Sequence, residues 1–495
     1  MFWNMILPFS IYGLNAISIF SLIFFRKKDM SVTFAWLLVM IFLPLAGFVL
    51  YFFFGSTRKL ELMSKKYYMK DIERDYDQIL KADIDAIRGD KVEFNDPETE
   101  KYRDMIIMNA RNSGCLYTQD NCVELLVNGP AKFACMMEEI DRAEETINVL
   151  YFIIKTRDQI GKDFVRLLAK KASQGVEVKL VYDGMGCLKT FRKDFKPIED
   201  AGGKVQRFLP SHLRTILLIN YRLHRKMVII DGKAAYTGGI NVGDDYLGLY
   251  PDITPWRDTS IRVTGQAVRE LQLRFLEDWV FLEKQNKKLA DPLYLQDLET
   301  IRAKAFPPIE EKAGTAGVQI ISCGPDCKYQ AHKDSYVKIL SSAKDYVYIQ
   351  SPYFVPDQTL LETMRLAARS GVDVRLMIPG IPDKRYVYYV AQSYVEELLE
   401  AGIRVFCHKG FIHAKTFVSD NHVASVGTTN LDLRSFKLDY EINTLVYDRS
   451  FALTCREQYL KDIEDSAELN LAEWRERGPW RYICESVCRF IAPLA

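Results

Sequence analysis

The sequence predicts an α/β protein: two similar lobes of strands and flanking helices, preceded by two membrane-spanning helices. Three observations predict it. The amino terminus holds two long uncharged runs, each half of the remainder alternates strands with amphipathic helices, and each half carries one His-x-Lys-x4-Asp cluster.

The amino-terminal runs come first in the chain. No side chain from Met1 to Phe25 is charged, and after "RKKD" (Arg26 to Asp29) none is from Met30 to Thr57. Each run exceeds the ~20 apolar residues a helix needs to cross a bilayer. A cleaved signal peptide fits poorly, because there is no basic leading segment, no small-x-small cleavage site, and a second apolar run follows. Arg58, Lys59, Lys65, Lys66 and Lys70 follow the second run, whereas Arg26, Lys27 and Lys28 lie between the two. The excess of basic residues then places the carboxyl-terminal body in the cytoplasm and the chain in the cell membrane as a multi-pass protein.

Residues 1–57 are thus expected as the anchor and 58–110 as a charged connector. In the first half, 111–302, "ETINVLYFIIKTRDQIGKDFVRLLAKKASQGVEVKLVYDG" (Glu145 to Gly184) reads as strand, helix, Gly175 and strand. In the second half, 318–495, "DYVYIQSPYFVPDQTLLETMRLAARSGVDVRLMIPG" (Asp345 to Gly380) repeats the order. Such alternation implies βαβ units with parallel strands. Residues 303–317, within "AKAFPPIEEKAGTAG", form the expected seam. A repeat this long is no solenoid unit, so duplicated lobes packed face to face explain it.

At 495 residues, several core-forming units are the prior. A net charge of +1, with 26% charged and 12% aromatic residues, argues against a binder of bulk polyanions and so against nucleic acid as partner. Ten cysteines in so long a chain fit reduced thiols. Cys323 and Cys327 in "CGPDC" lack the second pair a zinc site needs.

The repeated cluster carries the chemistry. In "YRLHRKMVIIDG" and "GFIHAKTFVSD" it comprises His224, Lys226, Asp231 and His413, Lys415, Asp420, the candidate catalytic set. Chance places Lys at +2 and Asp at +7 from a given histidine about once in 400. Two matches, each followed at the same offset by Gly-x-x-Asn (Gly238 and Asn241; Gly427 and Asn430), are not accidental. Alternation along a strand puts His and Lys on one face, where burying both would be costly without a partner. Two sets of His, Lys and Asn donors make a cationic cup suited to a phosphate, with Asn241 and Asn430 as substrate-binding residues. Two imidazoles on opposite sides of one phosphorus divide the labour, one attacking and the other protonating the departing oxygen. Lysines already supply the positive charge, and no grouping has metal-ligand spacing, so neither metal nor cofactor is expected.

These paired motifs resemble the phospholipase D superfamily. Within it, "FLPLAGFVLYFFFG", "LHRKMVIIDGKAAYTGGINVGDDY", "WRDT", "VQIISCGPD", "SPYFVPD", "GFIHAKTFVSD", "GTTNLDLRSF" and "CRFIAPL" are similar to the bacterial cardiolipin synthases, across essentially the whole chain. The resemblance implies two phospholipase D-like lobes, each a mixed β-sheet flanked by helices. It implies a metal-independent phosphatidyltransferase that converts two phosphatidylglycerols to cardiolipin and glycerol through a phosphohistidine. It assigns His224, Lys226 and Asn241 to one half-site and His413, Lys415 and Asn430 to the other, with His224 as nucleophile and His413 as general acid, then base. It makes Asp231 and Asp420 structural, and matches Asp258 in "WRDT" and Glu441 in "LDYEIN" to acids that orient the imidazoles. Two departures stand out: Gly239 and Thr428 occupy positions where members often carry serine, and Leu223 replaces an asparagine before the first histidine.

Other readings stay open at this point. A phospholipase D or a phosphatidylserine synthase-like transferase shares the chemistry and differs only in acceptor, and a membrane-tethered lipid-binding protein could keep a dead pocket. Self-association is left open. His212, His332, His408 and His422 lack the motif context. The terminal "RYICESVCRFIAPLA" places Ile483, Val487, Phe490, Ile491 and Leu494 at helical spacing, an amphipathic segment expected to pack on the body or rest on the bilayer surface.

Overall fold

The computed structural model describes residues 30–54, 70–208, 220–285 and 312–492, with scattered positions from 13 to 23. Most of the first apolar run, the basic residues from Arg58 to Lys66, His212, Leu494 and most of the expected seam lie outside the described residues.

The second apolar run folds as two helices, Met30–Phe42 and Pro44–Phe54. Proline has no N–H for the preceding turn, so the helix breaks at Leu43. Gly47 then lets the two segments close on each other, since a Cβ there would sit 2.7 Å from the Val39 carbonyl oxygen. Trp36 and Tyr51 meet edge to face at 5.3 Å. At 1.5 Å per residue these helices are about 20 and about 16 Å long, against a hydrocarbon core of ~30 Å. Among the described residues no helix is long and apolar enough to cross a membrane.

Among the described residues twenty strands follow. In the first lobe they are β1 (Tyr117–Val127), β2 (Thr146–Tyr151), β3 (Glu177–Asp183), β4 (Lys204–Phe208), β5 (Arg222–Leu223), β6 (Met227–Ile230), β7 (Ala234–Gly238), β8 (Trp256–Arg257) and β9 (Thr259–Gly265). In the second they are β10 (Ala316–Cys323), β11 (Tyr346–Gln350), β12 (Phe354–Val355), β13 (Asp373–Pro379), β14 (Arg404–His408), β15 (Phe411–Ile412), β16 (Thr416–Ser419), β17 (Val423–Gly427), β18 (Leu431–Asp432), β19 (Asp439–Tyr447) and β20 (Ser466–Glu468).

The long strands form one sheet in the order β20-β14-β13-β11-β16-β17-β19-β10-β1-β9-β7-β6-β2-β3-β4. The order outward from β1 matches the order outward from β10, so the duplication is visible in topology. Each lobe is mixed. β2, β3 and β4 run parallel, as do β11, β13 and β14, while β6, β7 and β9 and their counterparts β16, β17 and β19 are antiparallel. The βαβ pattern in the sequence forecasts only the parallel part. Tight turns join β6 to β7 and β16 to β17, and the longer connections on to β9 and β19 hold only helices of three to five residues, too short for a periodic pattern.

Matching turns set the parallel part. Helices Gln159–Ser173 and Gln358–Arg369 are followed by Gly175 at φ 92° and Gly371 at φ 95°, left-handed values that glycine adopts without strain. β1 and β10 pair antiparallel, Tyr117 opposite Gln319, and weld the lobes into one body. One face of the sheet is covered across both lobes by helices Ala267–Gln285 and Arg449–Glu464 over an apolar layer that includes Val263, Phe275, Ile442 and Phe451. On the other face each lobe has its own core. Ile87, Tyr102, Met105 and Ile106, from the segment expected as a connector, pack into the core of the second lobe.

Candidate active site

The two His-x-Lys pairs lie not within a strand but just before one, between β5 and β6 and between β15 and β16. The two-residue strands that precede them reach across to the opposite lobe. β5 pairs parallel with the start of β19, Leu223 opposite Tyr440, and β15 pairs parallel with β8, Ile412 opposite Arg257. The next position in each ladder therefore puts His224 beside Glu441 and His413 beside Asp258. Main-chain bonds hold the register: His224 N–H donates to Tyr440 O at 3.0 Å, and His413 N–H to Arg257 O at 2.6 Å.

Side chains complete the crossing. Nδ1 of His224 lies 2.9 Å from both Glu441 carboxylate oxygens, and Nδ1 of His413 lies 2.7 Å from Asp258 Oδ2. Both acids are fully buried. A carboxylate at Nδ1 makes that nitrogen the donor and leaves Nε2 of each ring for a substrate. Glu441 is steadied by the Thr428 hydroxyl, which donates to Oε2 at 2.5 Å, and Asp258 by the Thr259 N–H at 2.7 Å. Gly239 is explained in the same way, because a Cβ there would overlap the Asp258 carboxylate. The two positions where serine might stand thus serve the acids, one by a hydroxyl and one by vacating space.

Lys226 and Lys415 are buried, each donating from Nζ at 2.6 Å to the carbonyl of its own motif histidine. Asn241 bridges Tyr246 and the backbone, donating to Tyr246 Oη at 2.7 Å and accepting from Ile153 N–H at 3.1 Å. Asn430 is 5% exposed and its Oδ1 has no partner. Aromatic rings wall the pocket: Phe152 against His224 at 4.9 Å, and Trp256, Tyr246 and Phe411 against His413 at 5.4, 5.8 and 5.9 Å. None of these rings stood out from the sequence, since aromatic residues are common and carry no spacing signal.

The motif aspartates leave the candidate catalytic set. Asp231 (φ 51°) accepts from the N–H groups of Glu144, Glu145 and Thr146 at 2.8–2.9 Å. Asp420 (φ 50°) does the same for Lys344, Asp345 and Tyr346 at 2.8–3.0 Å. Both tie the tight turn after the strand that follows each motif, β6 or β16, to the entry of its neighbour, β2 or β11, at the end remote from the histidines. Among the other histidines, His408 accepts from Gly410 N–H at 3.1 Å, His422 stacks on Tyr102 at 5.4 Å, and His332 is buried behind Glu441.

Burial dominates the electrostatics. It holds His224 well below the ordinary imidazole range, reinforced by the charges of Lys226, Lys415, Lys384 and Arg434. It lowers His413 to about 4, with Lys415 and Lys226 adding to the effect and Asp258 opposing it. It also pushes Lys226 down to about 8, Lys415 down to about 7 and Glu441 up to about 7. Lysines of each lobe act on the histidine of the other, so the two motifs share one field. Both imidazoles and both lysines are held below their ordinary values, a shift that a bound anion would relieve. Among the described residues no grouping of His, Cys, Asp and Glu could hold a metal ion.

Comparison with known proteins gives the family. A family model described as "Cardiolipin synthase, PLD-like domain" matches residues 136–279 and 336–463, and one described as "Phospholipase_D-nuclease N-terminal" matches 13–56. The cardiolipin synthase of Listeria welshimeri is 41% identical over 95% of this chain and 95% of its own. The major cardiolipin synthase ClsA of Bacillus subtilis is 39% identical over 97% of each chain. The phosphatidylserine synthase of Haemophilus influenzae shares the fold, with a TM-score of 0.56 at 16% identity over 75% of this chain and 94% of that one. A duplicated half-site matched by one family model in both halves, with such relatives along nearly its full length, establishes that the chain belongs to the cardiolipin synthase family of phospholipase D-like proteins.

Proposed function

We propose that the chain is a phosphatidyltransferase that joins two phosphatidylglycerol molecules into cardiolipin and glycerol. The observation that carries this reading is the crossing of the half-sites. Each imidazole is held by a carboxylate of the other lobe, so one phosphate bound between them meets a complete acid–base pair only when both lobes are present.

His224 is the nucleophile. Its Nε2 attacks phosphorus, the P–N bond forms, and the P–O bond to the glycerol headgroup breaks. His413 gives its proton to that oxygen. The terminal hydroxyl of a second phosphatidylglycerol then loses a proton to His413 and attacks phosphorus from the side the glycerol left. The P–N bond breaks, cardiolipin departs and both imidazoles are restored. Burial and the neighbouring cations keep His224 in the neutral form a nucleophile needs, and at His413 the Asp258 carboxylate opposes the same influences, in the direction a general acid needs. A bound phosphodiester anion favours the charged form of His413 further. Lys226, Lys415, Asn241 and Asn430 turn to the non-bridging oxygens when phosphate arrives, where their donors stabilise the charge that develops in the transition state. No metal takes part.

The amino-terminal apolar stretches hold the enzyme in the cell membrane, with the body on the cytoplasmic side among its lipid substrates. The reading is tested with purified protein in phosphatidylglycerol liposomes. Cardiolipin and glycerol appear in equal amounts. Release of phosphatidic acid without cardiolipin would make the enzyme a phospholipase, and no turnover at all would make it a binding protein.

A further inference from the structure

The helix Pro479–Ile491 is turned inside out. Its inward side carries charge: Glu485, 1% exposed, accepts from Arg477 and from Arg481, each at 3.1 Å. Arg489 donates to Glu397 at 2.7 Å and lies over the Tyr394 ring at 4.0 Å. Its outward side carries Trp480, Tyr482, Ile483, Val487 and Phe490, between 50% and 76% exposed. A helix whose only partner is the body buries its apolar stripe. This one is fixed to the body by ion pairs and presents the stripe outward, which marks a surface awaiting a partner.

Its position says where that partner lies. The helix packs on Arg385–Gln392, which follows the carboxyl end of β13. Tyr388, Ala391 and Gln392 of that helix line a small cavity with Tyr353 and Phe411, and Phe411 stacks on His413. The first lobe presents further exposed apolar residues, Leu188, Phe191, Leu249 and Tyr250. Cations accompany them. Arg157 and Lys193 lie over the Phe191 ring at 5.4 and 5.7 Å, whereas Lys155, over the Tyr250 ring at 4.9 Å, is paired with Asp245 at 2.7 Å.

We propose that these two patches form one docking face for an anionic phospholipid bilayer. The helix Pro479–Ile491 lies in the interface plane on one side of the pocket mouth, and the Phe191 and Tyr250 loops lie on the other. The inference rests on the proposed function for its lipid substrate and adds how the body meets it. Arg157 and Lys193 beside the Phe191 ring, with aromatic side chains exposed on both patches, suit the headgroups of an anionic bilayer, and a second copy of the chain is the competing occupant. Aromatic and basic residues around an apolar stripe are what a headgroup boundary takes up.

The test uses the full chain in phosphatidylglycerol vesicles containing brominated lipid, with Trp480→Phe and with Ile483, Val487 and Phe490 replaced together by serine. Trp480 emission is quenched by bromine. The triple variant loses roughly tenfold or more of its cardiolipin synthesis on vesicles yet turns over water-soluble dihexanoyl phosphatidylglycerol at the parent rate. Arg157→Glu with Lys193→Glu raises the anionic lipid fraction needed for half-maximal rate. Unquenched Trp480, or a triple variant that is unimpaired on vesicles, overturns the proposal. Equal loss on both substrates assigns the helix to scaffolding, and a parent dimer that the triple variant dissolves assigns the face to a second copy; either result overturns it too. If the parent makes no cardiolipin, the proposed function fails, while quenching still reports on docking.

Discussion

His413 in the second lobe donates from Nδ1 to Asp258 in the first at 2.7 Å, and the register of β8 with β15 places the two in line. Because the acid acts only through the ring, Asp258→Asn leaves the pocket built but lets the imidazole turn or change tautomer. The expected loss in turnover is on the order of a hundredfold or more. The alkaline limb of the pH–rate profile moves with it, because His413 then holds its proton less well. An unchanged profile would make Asp258 structural.

The order of the two histidines is separable with an activated phosphatidyl ester whose leaving group needs no proton. His413→Ala retains formation of the intermediate with this substrate, and His224→Ala loses it with every substrate. Peptide mapping should find the phosphatidyl label on His224 in the His413→Ala protein. Label on His413 in the His224→Ala protein, with none on His224 in the other, reverses the assignment.

Buried neutral imidazoles predict acid sensitivity. His413 is held down to about 4 and His332 to about 3, whereas the unfolded chain protonates histidine near its ordinary value of 6.5. Between those values the unfolded state binds more protons, so stability rises with pH. It is lost as pH falls from about 6.5 towards 4. Urea midpoints that stay flat across this window would contradict the burial.

Gly239 and Thr428 predict unequal costs. Gly239→Ala drives a methyl group into the Asp258 carboxylate and lowers turnover roughly a hundredfold through a misplaced His413. Thr428→Val removes one hydrogen bond to Glu441, about 1.5 kcal/mol or roughly tenfold. Equal effects would show that the glycine is not there to make room.

Strong chelation leaves synthesis on pure liposomes intact, as buried lysines provide the charge a metal would bring. Abolition by chelator with recovery on one particular cation would reject the mechanism.

Much of the site was legible because its chemistry is written in local spacing. His224 and Lys226, and His413 and Lys415, stand two apart in near-identical settings, and the helices and parallel strands carry strong periodicity. What escaped is set by tertiary register. "WRDT" and "LDYEIN" pointed to orienting acids but not to which histidine each serves, because the choice is made by β5–β19 and β8–β15, two-residue pairings too short for any pattern. Tyr246, Trp256 and Phe411 gather around His413 from separate segments. Gly239 looked like a missing serine until the carboxylate beside it explained the vacancy. The terminal helix had legible amphipathic spacing, but the spacing could not tell that its charges face inward, because only the positions of Arg477 and Glu397 decide that.

The weld between β1 and β10 has a consequence for traffic. Among the described residues the halves are joined by strand pairing that runs from β9 through β1 and β10 to β19, so the two half-sites face each other as parts of one body. Freed glycerol and the incoming lipid then compete for the same position beside His413. Glycerol that lingers there takes the place of the second lipid and hands the phosphatidyl group back to where it started, so the net direction of synthesis depends on how fast glycerol leaves.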